Sequence, residues 1–79
     1  MAEHYRNIPF DELIRRMRDE DGELRLFLRN FRRRRIYPII ITGIDLDEYK
    51  LSIRRESDGS TADFNLISYG INWVCAEKA

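Results

Sequence analysis

With 79 residues, 43% of them hydrophobic and 35% charged, the chain has the size and balance of one small folded domain. It is too apolar for a disordered segment, and it contains no apolar run of the ~18 residues that a membrane-spanning helix needs. Fourteen basic residues cancel fourteen acidic ones, yet twelve of the basic residues are arginine and only Lys50 and Lys78 are lysine. Arginine's planar fork suits phosphate, carboxylate and base edges better than a lysine point charge, so the choice of cation points toward recognition.

A chain this short buries ~60–65% of its unfolded surface, which leaves its core marginal. Cys75 is the sole cysteine and His4 the sole histidine, so an intrachain disulfide is excluded and a zinc site lacks ligands. Self-association is the remaining route to extra stability. The N-terminal Met1-Ala2-Glu3-His4-Tyr5 has no basic-then-apolar signal pattern, which predicts a cytoplasmic location.

Residues 1–8 read as a loose polar tail, and a single domain is expected over 9–79. Pro9 suits a first helical turn, and Phe10, Leu13, Ile14 and Met17 repeat at the spacing of one helix face. Asp11 and Glu12 at its start and Arg15, Arg16 and Arg18 near its end match the helix dipole, so a helix is predicted over about 9–20, stopped by Asp21-Gly22. The period then changes to two. Leu24, Leu26 and Leu28 alternate with Arg25, Phe27 and Arg29, which predicts a strand over about 23–30.

The β-branched run Ile39-Ile40-Ile41-Thr42-Gly43-Ile44 predicts a second strand over about 35–46, with an unpaired or bulged edge at Pro38. A third follows over about 48–57, where Tyr49, Leu51 and Ile53 alternate with polar residues. Ser57-Asp58-Gly59-Ser60 is the strongest hairpin signal. A fourth strand is expected over about 61–68 and a short fifth over about 71–76. The fold class is therefore mainly β: a helix followed by five short antiparallel strands in a strongly bent sheet or small barrel. Such a sheet leaves two edges, which copies of the chain can pair.

The stretch from Glu23 to Ala76 resembles the Sm/LSm family, including its bacterial Hfq branch. The element order is that family's. Leu24-Arg25-Leu26-Phe27-Leu28-Arg29-Asn30 is similar to the opening of its first motif, and Leu46-Asp47-Glu48-Tyr49 to the bend before its third strand. Ile67-Ser68-Tyr69-Gly70-Ile71-Asn72-Trp73-Val74 is similar to its second motif.

The resemblance implies a non-catalytic protein that forms a hexameric or heptameric ring and binds single-stranded RNA, with no cofactor. It implies that the loops carrying Glu48-Tyr49 and Ser68-Tyr69 face a central pore, and that neighbouring copies meet through Phe64, Leu66, Trp73 and Val74. The chain departs from the pattern at three points. The glycine often found after the first strand is replaced by Phe31 and arginines, the base-reading asparagine falls at Leu51, and the basic pair of the second motif becomes Ser68-Tyr69-Gly70.

Arg32-Arg33-Arg34-Arg35, with Arg25 and Arg29 before it, is the densest positive segment and is expected to grip phosphate. Its alternative role is pairing with Asp45, Asp47 or Glu48 of a neighbouring copy. Tyr49 and Tyr69 are expected to stack bases beside it, Tyr69 as the more exposed of the two. Asp47 is expected to fix the bend through backbone amides rather than to hold a metal. With one histidine and one cysteine, no nucleophile–base–orienter set can be assembled. The competing reading is a small SH3-like barrel that serves as a protein-interaction or structural module.

Overall fold

Residues 4–20 and 22–79 are described in this computed structural model, and they form six strands, one α-helix and a 3₁₀ turn. In chain order these are β1 (Tyr5–Asn7), α1 (Phe10–Asp19), β2 (Leu24–Asn30), β3 (Arg35–Asp45), β4 (Lys50–Arg55), β5 (Thr61–Asn65), the 3₁₀ turn Leu66–Ser68, and β6 (Trp73–Lys78). The strands make one antiparallel sheet in the order β1-β6-β2-β3-β4-β5. Among the described residues no ladder joins β1 to β5, so the sheet keeps two open edges.

The period-two patterns become one buried face. Leu24, Leu26 and Leu28 of β2, Ile39 and Ile41 of β3, Leu51 and Ile53 of β4, and Trp73 and Cys75 of β6 form the core. Leu13 of α1 is fully buried against it, with Phe10 and Met17 packed beside it. The register of β3 against β4 shifts between Ile41 and Gly43, which makes Thr42 the extra residue of a bulge. That bulge changes the parity, so that Ile39 and Ile41 before it and Ile44 after it can share one face. Pro38 sits one residue past Ile39, the last β3 residue paired to β4, where a missing N–H costs that ladder nothing.

The sequence-based expectation is corrected at three places. Residues 5–7, expected in a loose tail, form β1 on the outer edge of β6, with Tyr5 opposite Lys78 and Asn7 opposite Ala76. Ile8 follows with its side chain fully buried and its N–H donating to the Cys75 carbonyl at 2.8 Å. The sheet therefore has six strands rather than five. The stretch expected as one strand over 61–68 is split, because the Asn65 side chain accepts from the Ile67 N–H and turns the chain into the 3₁₀ segment. The last strand begins two residues later than expected, at Trp73. Asp21, expected in the helix stop, lies outside the described residues, as do Met1, Ala2 and Glu3.

A charge network fastens β1, α1 and β6 together. Arg6 pairs with Glu12 and, at 3.0 Å, with Glu77; Arg16 pairs with Glu12 at 3.1 Å and also with Glu77. Hydrogen bonds from Arg6 hold the Glu12 carboxyl below its usual range, and hydrogen bonds from Arg16 and then Arg6 do the same for Glu77. Depressed carboxyl values stabilise the fold above the unfolded value of about 4.3, and the contribution disappears as pH falls through the folded values. Thermal melts should therefore show a midpoint that drops as pH falls below about 5, and Glu77→Gln should flatten part of that drop. A melting point independent of Glu77 across that range would remove the network from the acid response.

Candidate nucleic-acid interface

The hairpin between β2 and β3 carries the arginine run. Its turn is fixed by Asn30, whose side-chain oxygen accepts from the Arg33 N–H at 3.0 Å. Arg34 then takes a left-handed conformation, φ 53°, where the sequence has no glycine. A non-glycine residue there costs about 1 kcal/mol. The Arg34→Gly variant should accordingly melt several degrees higher, about 4–8 °C per kcal/mol for a domain of this size. Lower RNA affinity of the same variant would identify the side chain as what the strain retains.

Arg32, Arg33, Arg34 and Arg35 are all exposed, and among the described residues none of them forms an ion pair. Neighbouring charges are otherwise engaged: Arg25 pairs with Glu56 at 2.9 Å, Arg54 with Glu23, and Asp58 accepts from the Ser60 amide and hydroxyl. Asp45, Asp47 and Glu48 lie at the opposite end of β3, ten residues and roughly 30 Å along the strand at ~3.3 Å per residue. Pairing of the arginine run with those acids within one chain is therefore excluded.

The run divides across the sheet. Arg32 and Arg33 line a concavity of about 560 Å³ that opens on the core face, whereas Arg34 and Arg35 line a smaller one of about 310 Å³ with Arg29, Phe31 and Ile36. The larger has a floor of Leu28, Ile39 and Ile53, aromatic rings from Tyr37 and Phe64, and further polar groups from Asn30 and Arg55. α1 covers another part of the core face, with Leu13 buried in it and Phe10 and Met17 packed beside it.

The two tyrosines are brought together, but far along β3 from the arginines. Phe10 stands between them, its ring 6.4 Å from Tyr49 and 5.5 Å from Tyr69. Tyr49 is 41% exposed and left-handed at φ 58°, as the last residue of the turn that joins β3 to β4. Tyr69, expected to be the more exposed ring, is instead half-buried. Its hydroxyl donates to the Ile8 carbonyl at 2.6 Å and accepts from the Cys75 N–H at 3.4 Å, and its ring meets Trp73 edge-on. Burial raises its hydroxyl above the usual value. The ring that was to receive a base is occupied by the fold. Ser68 beside it is half-buried, its hydroxyl 3.4 Å from the Asn72 amide, while Glu48 is exposed.

Two further expectations are corrected. Leu66, Trp73 and Val74, expected at a subunit contact, are 3, 5 and 5% exposed within a single chain; Phe64 alone of that set stays half-buried, against Trp73 at 5.2 Å. The bend after β3 is fixed by Asp45 rather than Asp47, since Asp45 accepts from the amides of both Asp47 and Glu48 at 3.0 Å. The Cys75 thiol is buried and pushed up to about 12, so it is no thiolate nucleophile. Arg55 was missed, although its position carried a signal: it continues the core-facing alternation of Leu51 and Ile53. No protein family, curated protein or solved structure matches the chain, so the chemistry of these residues carries the functional argument.

Proposed function

We propose that the protein binds single-stranded RNA without catalysis, as an Sm-like bent sheet whose copies join edge to edge in a ring of six or seven. The observation that carries the RNA reading is the run Arg32–Arg35, exposed, unpaired among the described residues, and held in a strained turn in place of a glycine. Unpaired guanidinium groups lose no partner when they meet phosphate and release counterions in doing so. The placement of α1 directly before β2 and the 3₁₀ turn before β6 support the Sm-like reading, whereas β1 ahead of the helix is an addition to it. The open edge of β5, Thr61–Asn65, supports assembly.

The covered edge of β6 favours a second reading. Because β1 occupies it, a neighbour's β5 meets the three residues of β1 instead, a short contact for a ring. A single copy that binds RNA is the alternative. Light scattering at moderate salt separates the two: six or seven copies support the ring, and a stable 9.5 kDa monomer removes it. The RNA reading is tested by fluorescence anisotropy with short labelled RNA. Affinity should fall steeply with salt and weaken in the Arg33→Ala, Arg34→Ala double variant. Absence of binding to any short RNA at low salt would refute it.

A further inference from the structure

We propose that the concavity on the core face is a site for a nucleoside monophosphate, the unit presented by a phosphorylated RNA end, with the base against Tyr37 and Phe64 and the phosphate against Arg32, Arg33 and Arg55. This deepens the RNA reading and rests on it for the source of the ligand.

The lining itself limits the ligand. Its charged side chains are three arginines, with no acidic residue among them. Among the described residues none of these three is in an ion pair, and Asp58, outside the lining, is the acid that feels the charge of Arg55. Three guanidinium groups exceed the single charge of an internal phosphodiester and match a phosphomonoester, which carries about −1.5 to −2 at neutral pH.

The remaining lining suits an apolar, planar body. Leu28, Ile39 and Ile53 are core residues, and the half-buried rings of Tyr37 and Phe64 pack against the core and line the concavity with them. Stacking on such rings accepts any base, because every base has a π-face. The volume of about 560 Å³ lies within the range of small-molecule sites. Asn30 adds direction: its oxygen is held by the Arg33 N–H, which leaves its amide N–H groups to donate to a base edge.

Calorimetric titration of the full chain with the four nucleoside 5′-monophosphates, uridine and inorganic phosphate tests the site. At least one monophosphate should saturate it with a Kd below about 1 mM, and uridine and phosphate alone should bind about tenfold or more weakly. Arg55→Gln should weaken the monophosphate about tenfold, while Arg15→Gln, on the helix, should not. Circular dichroism melts verify that Arg55→Gln is folded. The proposal is overturned if no monophosphate saturates, or if folded Arg55→Gln binds it as the unaltered chain does. Salt-dependent RNA binding that ignores a 5′-phosphate overturns the pocket and leaves the RNA reading standing. Monophosphate binding without RNA binding supports the pocket and removes that reading.

Discussion

Replacing Ile8 with alanine is expected to lower the unfolding free energy by about 3 kcal/mol, within the range for a large aliphatic side chain removed from a core. For a domain whose total stability is about 4–12 kcal/mol at this length, that is a severe loss. The side chain is fully buried, and its backbone is held on both sides: the N–H by the Cys75 carbonyl, the carbonyl by the Tyr69 hydroxyl. A cavity at Ile8 therefore loosens the attachment of β1 as well as the core. Urea denaturation followed by tryptophan fluorescence reads the change directly through Trp73. An unaltered midpoint would mean that residues before Pro9 behave as the loose tail that their composition suggests.

Neutralising Arg32, Arg33, Arg34 and Arg35 together, each to glutamine, should weaken RNA binding about 10³-fold at ~0.1 M salt. The figure follows from four lost phosphate contacts, each contributing ~0.7 to the slope of log K against log salt for a single strand. The slope itself should fall by about 3, and this second number separates lost phosphate contacts from general damage. Net charge alone does not account for such a result if the helix arginines serve as a control. Arg15 and Arg18 are exposed on α1, and changing both to glutamine removes charge without touching the hairpin. Equal losses per charge in the two sets would dissolve the case for a local site.

Much of the fold was legible because long elements repeat their pattern. α1 has four apolar residues at helical spacing, and β2 and β4 alternate cleanly, so their existence and type follow from period alone. β1 was not legible. Tyr5-Arg6-Asn7 has no apolar face, and what makes it a strand is the free edge of β6, more than sixty residues away. The signal near it was Ile8, an isolated apolar residue before a proline. The site was half legible. Composition reveals the arginine run at once, but the concavity joins Asn30, Arg32 and Arg33 to Arg55 and Phe64 on other strands, and no local spacing carries that. Tyr69 misled for a similar reason: a tyrosine beside glycine reads as exposed, whereas its hydroxyl finds two backbone partners from distant segments.

The length of β3 has one more consequence, for purification. An isoelectric point near 6.6 suggests a protein that neither type of ion-exchange resin retains close to neutral pH. Resins respond to the face presented to them rather than to the sum. Since β3 holds four arginines at and before one end and three acids at and after the other, the same preparation should be retained by sulfonate and by quaternary-amine columns at low ionic strength. The quadruple glutamine variant should pass through the first and stay on the second.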